Sequence, residues 1–397
     1  MRISTKTFQL QWLNNFSARQ SELAEIQRQV STGKRVATAG DDPAGASQMI
    51  QLQEGLNRLD SFAQNADTAR RRLSLEENVL SEAGDLLNRV RELAIQAGGA
   101  SQTPQDRQAL ANEAKEIRQN LLDLANSQDG EGRFLFGGNR VKAQPFTVSG
   151  TNVLYNGDDG GRAQRIGDNR TVSEGDPGSK VFSAIRNGNG TFSIAPDAGN
   201  SGTGIFSAAT VLNASAWTGE SYAIQFTTPD SYTVFNSGGG AVQTGSFASG
   251  DTIQFAGISV QIDGAPETND VFVINPSANQ DVFATVDKFI NTMGFDTASP
   301  AGKAQAQSLL NSSLQDMDRA LENLSTVRSS VGSRLAVIDQ QVDNNRNLGQ
   351  QYSQTLSLVR DVDYASAISE LEQQLLGLEA AQKTFARTRS SSLFNLI

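Results

Sequence analysis

Three short stretches hold residue types that could do chemistry. The first, Asn156-Gly157-Asp158-Asp159-Gly160-Gly161, sets two carboxylates in a glycine-rich turn and superficially has the form of a calcium loop. An EF-hand loop needs oxygen ligands at alternating positions and a glutamate at its twelfth residue. Counted from Asn156, that residue is Gly167, so the match fails and a hairpin turn is the simpler expectation. The second, Asp41-Asp42, offers paired carboxylates, but Pro43 follows and a cap on a helix start explains the pair without chemistry. The third, Gly202-Thr203-Gly204, lacks the rest of a dinucleotide fingerprint.

The residue inventory narrows the chemistry further. The chain has 397 residues and neither cysteine nor histidine. Disulfides, Cys/His zinc sites, cysteine nucleophiles and Ser-His-Asp triads are thereby excluded. An enzyme would have to run on carboxylates, lysine or tyrosine, without the usual general base of neutral pH. The expectation is therefore no enzyme, no cofactor, and no catalytic, cofactor-binding or metal-ligating residue. Net charge is −10 with a pI near 4.8, the opposite of a phosphate-binding surface, so nucleic acid is not an expected partner. The one dense basic run, Arg70-Arg71-Arg72, precedes Glu76 and Glu77 and reads as a solvated helix face. No stretch approaches the roughly 20 apolar residues that cross a bilayer, so no membrane is expected. Arg2 and Lys6 are not followed by the apolar run of a secretory signal.

The elements that carry these residues fall into three zones, helix, sheet and helix. Between Gly137 and Asn275 lie 22 of the 36 glycines, and six of the nine prolines fall between Pro145 and Pro276. Alternating β-branched and aromatic runs occur there at Tyr222–Thr227, Ser231–Phe235, Thr252–Phe255, Ser259–Ile262 and Val271–Ile274. Turn-forming clusters separate them, which predicts hairpins in a sandwich or open barrel, with residues 236–240 (NSGGG) at a tip. Outside the zone stand Pro43, Pro104 and Pro300, each readable as a helix boundary. Gly33 suits the left-handed stop of the helix before it.

The flanks carry apolar residues at heptad spacing. One seam runs through Leu73, Leu80, Ala83, Leu87, Val90 and Ala94, and another through Leu110, Ala114, Ile117, Leu121 and Leu124. A third takes Leu314, Met317, Leu321 and Leu324, then Val331, Leu335, Ile338 and Val342. Such stripes drive bundle or coiled-coil packing. At the extreme ends, Leu13, Phe16, Leu23, Ile26 and Val30 form one stripe, and Ile368, Leu371, Leu375, Leu378 and Phe385 another, interrupted by Gln382. The chain finishes on Leu393-Phe394-Asn395-Leu396-Ile397. An apolar terminus needs something to pack on. Periodicity leaves two answers open: the chain's own core, or neighbouring copies.

Several segments resemble the bacterial flagellin superfamily. They are residues 29–36 (QVSTGKRV) with 41–44 (DDPA), 89–94 (RVRELA), 327–335 (VRSSVGSRL) and 361–365 (DVDYA). Within that superfamily the hook-associated branch is the nearer match. The opening Met1-Arg2-Ile3-Ser4-Thr5 resembles it, as do residues 121–126 running into 130–138 (GEGRFLFGG), Lys383-Thr384-Phe385 and Ser392-Leu393-Phe394. Flagellin itself is the alternative within the same superfamily.

The resemblance implies a structural flagellar subunit at the junction of hook and filament, required for motility. Its α+β multidomain fold would have long terminal helices in coiled-coil and bundle domains and a central all-β insert. Expected domains are a terminal coiled coil (residues 1–42 with 355–397), a helical bundle (43–140 with 283–354) and an outer β-rich region (141–282). Implied partners are further copies of the chain in a ring, the first hook-associated protein, flagellin, and an export chaperone on the C-terminal helix. Implied location is the extracellular flagellum, reached through the flagellar type III apparatus without a cleaved signal. The residues expected to assemble subunits are Leu13, Phe16, Leu23, Ile26, Val30, Ile368, Leu371, Leu375, Leu378, Phe385, Leu393 and Phe394.

Overall fold

The structure, a computed structural model, describes residues 5–99 and 102–390. Six helices are defined: α1 (Thr5–Thr32), α2 (Pro43–Ala97), α3 (Pro104–Ala125), α4 (Val282–Met293), α5 (Pro300–Arg360) and α6 (Tyr364–Ser390). Pro43, Pro104 and Pro300 each occupy the first helical position, where a missing N–H costs no hydrogen bond. Before α3, Thr103 and Asp106 close a reciprocal capping box, each side chain accepting the other's backbone N–H. Asp281 caps α4 by accepting from the Ala284 N–H at 2.6 Å.

Fourteen strands lie between α3 and α4. Three antiparallel pairs are short: β1 (Phe146–Ser149) with β2 (Asn152–Tyr155), β3 (Ala163–Gly167) with β4 (Arg170–Ser173), and β5 (Ile185–Arg186) with β14 (Asn279–Gln280). The remaining strands are β6 (Phe192–Pro196), β7 (Ile205–Val211), β8 (Tyr222–Thr228), β9 (Ser231–Asn236), β10 (Ala241–Ser246), β11 (Thr252–Phe255), β12 (Ile258–Asp263) and β13 (Val271–Pro276). They form a five-stranded sheet, β10-β9-β8-β13-β6, and a three-stranded sheet, β11-β12-β7. One core joins the two sheets, as in a sandwich. Alternation chooses its members: Tyr222, Ile224 and Phe226 from β8, Val234 from β9, Phe272 and Ile274 from β13, and Ile258, Val260 and Ile262 from β12. At the 236–240 tip the Asn236 side chain accepts from the N–H groups of Gly238 and Gly240, and Gly239 takes a φ of 77° that glycine tolerates freely.

Packing divides the described chain into two compact units, residues 65–339 and residues 5–64 with 340–390. In the larger unit the α2 seam from Leu73 to Ala94 is wholly buried. On α3 Leu110, Ala114, Ile117 and Leu121 are buried and Leu124 is half-buried. On α5 Met317, Leu324, Val331 and Ile338 are buried, and Leu314, Leu321 and Leu335 are half-buried. In the smaller unit Gly55 lets the Tyr352 ring lie against the backbone of α2, where an added Cβ would come within 2.7 Å of that ring.

Two of the chemical stretches have structural duties here. Asp158 accepts from the N–H groups of Asn139 and Gly160, and Asp159 accepts from the Ser179 hydroxyl, so the acidic turn is a backbone fastener. The basic run departs from its expected solvation. Arg72 is buried, ion-paired to Asp129 at 2.9 Å and donating to the Phe134 and Leu135 carbonyls. The run's third residue falls on the same helix face as the apolar seam, and the loop after α3 supplies the acceptors that make its burial tolerable.

Beside it, Glu76 is 2% exposed, its Oε1 accepting from the Asp176 N–H at 3.1 Å. The Asp176 carboxylate is itself held by Lys180 and Arg334. Burial first, and repulsion from Asp176 second, raise the Glu76 pKa from 4.5 to about 8. Between those two values the folded chain binds more protons than the unfolded one. The stability gained from the folded-state proton is therefore complete below 4.5 and disappears as pH rises through about 8. Glu76→Gln should remove this slope: its melting temperature should gain on the parent's as pH rises from about 5 to about 9, as read by thermal melts. A constant difference across that range would show that Glu76 does not titrate there.

Candidate assembly surface of the terminal helices

α1 ends because Gly33 takes a φ of 72° while its N–H donates to the Gln29 carbonyl at 2.8 Å. The chain then forms a polar knot with the end of α5. Lys34 and Asp361 make an isolated antiparallel bridge, the Val362 N–H donates to the Gly33 carbonyl at 3.0 Å, and the Arg35 N–H donates to the Arg360 carbonyl at 2.7 Å. Asp41 accepts from the Ala37 and Thr38 N–H groups and from Arg28 at 2.8 Å. The Thr38 N–H, then Arg28, hold its carboxyl far below the usual carboxylate range. Asp42 caps α2 through the Gly45 N–H at 2.9 Å. The Asp363 carboxylate accepts from the Ala365 N–H and opens α6. The paired acids at 41 and 42 are thus a loop clasp and a helix cap.

From this knot α1 and α6 run antiparallel. Tyr364 lies over Gly33, Arg19 over Gly377, and the Trp12 ring stacks on Phe385 at 3.8 Å. These pairings define a seam in strict four-three spacing. On α1 it takes Trp12, Phe16, Arg19, Leu23, Ile26 and Val30, of which Leu23 and Ile26 are buried and Trp12, Phe16 and Val30 half-buried. On α6 it takes Ala367, which is buried, and Leu371, Gln374, Leu378, Ala381 and Phe385, which are half-buried.

The apolar residues read from the sequence therefore divide between two faces. Phe16, Leu23, Ile26, Val30, Leu371, Leu378 and Phe385 lie in the seam. Leu13, Ile368 and Leu375 point away, 53%, 45% and 44% exposed, joined by Leu10 and by Leu376 at 67%. Leu393 and Phe394 lie outside the described residues. Trp12, Leu10 and Leu376 were not among the expected residues. Trp12 was findable, standing four residues before Phe16 in the same heptad.

The seam also has polar members. Gln374 presents a buried Oε1 without a hydrogen-bond donor among the described residues, and Arg19 crosses the bare backbone of Gly377, where an added Cβ would come within 2.8 Å of its guanidinium. A buried polar atom left without a partner costs about 1–3 kcal/mol. The pair thus buries a mixed seam and leaves Leu10, Leu13, Ile368, Leu375 and Leu376 exposed.

Comparison with known proteins agrees with this geometry. The model of the bacterial flagellin N-terminal helical region matches residues 3–140, and that of the C-terminal helical region matches residues 314–397. The flagellar hook-associated protein 3 of Salmonella typhimurium is 25% identical over 398 residues, spanning 100% of this chain and 99% of that protein. The crystal structure of Xanthomonas campestris FlgL is 38% identical, with a TM-score of 0.73, over 77% of this chain and 99% of that one. That of the flagellar hook-associated protein 3 from Legionella pneumophila is 31% identical, with a TM-score of 0.76, over 78% and 98%.

Replacing Gln374 by leucine should stabilise the helix pair by about 1–3 kcal/mol. The measurement is the Trp12 fluorescence transition in denaturant, in a Trp217→Phe background that leaves Trp12 as the reporter. A lower midpoint would mean that the Gln374 amide contributes to the pair.

Proposed function

This chain belongs to the flagellar hook-associated protein 3 (FlgL) family of the bacterial flagellin superfamily, and from that premise we propose that it forms the junction between hook and filament. Copies of the chain would associate as a ring, with the first hook-associated protein on one side and flagellin on the other. The chain would be exported through the flagellar type III apparatus, with a chaperone covering α6 beforehand, and motility would depend on it. The role is structural, with no catalytic step assigned.

The outward stripe of Leu10, Leu13, Ile368, Leu375 and Leu376 carries this reading. Two paired helices bury one face each, and exposed large apolar residues on both helices point to a site of association. Burying one leucine is worth roughly 1.5–3 kcal/mol, so a few such residues offset the ordering of the helix ends on assembly. Adapting one tube to another is then a matter of which faces the helices present. Flagellin itself shares the helix-pair physics, but the 38% identity to Xanthomonas campestris FlgL favours the junction over flagellin, of which one from Clostridium tyrobutyricum is 23% identical over 395 residues.

Leu375→Asp separates assembly from folding. Because Leu375 is half-exposed in the free chain, the thermal melt should change within about 0.5 kcal/mol. Capping of hooks, scored by electron microscopy of a deletion strain carrying the variant, should be lost, with flagellin shed into the medium. Intact capping, or collapse of the free chain, would contradict the proposal.

A further inference from the structure

Three well-buried arginines of the larger unit each face a carboxylate: Arg72 pairs with Asp129, Arg118 with Asp287 and Arg334 with Asp176. Arg107, in the first turn of α3, does not. It is 7% exposed and makes no ion pair among the described residues. Of its five N–H groups, one donates to the Thr292 carbonyl near the end of α4, at 2.7 Å. Asp296, exposed on the loop after α4, acts on it only through space. Burial accordingly pushes the Arg107 pKa down. Buried charges are ordinarily paired, because an uncompensated one is costly to desolvate.

Arg107 borders a cavity of about 150 Å³ where the ends of α2 and α4 meet the starts of α3 and α5. Among the described residues no carboxylate lines it. A second cation does: Lys303, exposed and without an ion pair among the described residues. Gln102 and Gln307 add carboxamides, each with one N–H given to the Gln96 carbonyl or to Asn311 Oδ1 and a second still to give. Met293 and Leu310 supply an apolar wall. A guanidinium fork matches a carboxylate through two parallel bonds, and a cavity of about 150 Å³ admits a guest the size of benzene.

We infer that this cavity binds a small dicarboxylate, one end on the Arg107 fork, the other at Lys303, and its short aliphatic body against Met293 and Leu310. The ligand supplies the anion that the buried guanidinium lacks. Every lining residue belongs to the larger unit and none lies on α1 or α6, so the inference stands apart from the assembly proposed above.

Calorimetric titration of the full-length chain with disodium succinate at neutral pH tests it, with sodium chloride at matched ionic strength as the control. Succinate should bind saturably at a single site per chain. Acetate, lacking the second carboxylate and part of the aliphatic body, should bind about tenfold more weakly. Arg107→Met should weaken succinate binding by about thirtyfold or more, because a buried partner is lost. Lys303→Gln should weaken it by about threefold, because an exposed ion pair contributes little. Should Arg107→Met lower the thermal melt of the free chain, Arg107→Lys keeps the charge without the fork and should weaken binding by about tenfold. The absence of saturable binding, or affinities unchanged by the Arg107 and Lys303 substitutions, would overturn the inference. Tighter binding of inorganic phosphate than of succinate would overturn it as well, since the cavity would then select a tetrahedral anion.

Discussion

Two helices packed against each other can bury only one face of each, and the rest of this molecule's behaviour follows from what is done with the second. In the larger unit the problem is solved internally. The α2 seam from Leu73 to Ala94 is buried without remainder, and the two sheets enclose phenylalanines, isoleucines and valines in a core of their own. At the ends it is left open. α1 and α6 satisfy a seam through Leu23, Ile26 and Ala367 and leave Leu13, Ile368, Leu375 and Leu376 facing away. A helix apolar on more than one side is ordinarily buried on more than one side, which is why the free chain reads as half of a packing arrangement.

In the larger unit three of the buried charges are matched by ion pairs: Asp129 by Arg72, Glu174 by Arg162 and Asp316 by Lys288. Uncompensated charge there would cost several kcal/mol. In the terminal pair Gln374 lacks a donor, and Arg19 and Glu372 make no ion pair, among the described residues. The knot of Gly33, Asp41, Arg360 and Asp361 instead fixes where the two helices leave the rest of the smaller unit.

Much of the fold was legible in the sequence because its signals are local. Prolines at 43, 104 and 300 mark helix starts by backbone geometry alone, Gly33 marks a stop, and the five alternating runs became β8, β9, β11, β12 and β13. What could not be read was set by tertiary context. β7 and β10 carry little alternation, and β10 is exposed on both faces, so its pairing with β9 is decided by the 236–240 turn. Arg72 belonged to a run that looked solvated, and only the loop after α3 supplies the acceptors that let it be buried. The terminal stripes were visible as apolar, but a heptad pattern does not say which apolar positions face the partner helix. Leu375 and Leu378 stand three residues apart, yet one faces outward and the other belongs to the seam.

The central claim is that the outward face of the terminal pair is open in the free chain and covered in the assembled flagellum. Because the chain has no cysteine, a single Leu375→Cys substitution gives a unique thiol on that face. Its alkylation rate should be close to that of an exposed thiol in the free chain and fall by about tenfold or more in assembled hook–filament preparations. Equal rates in the two states would show that the face stays in solvent, and that subunits associate through some other surface.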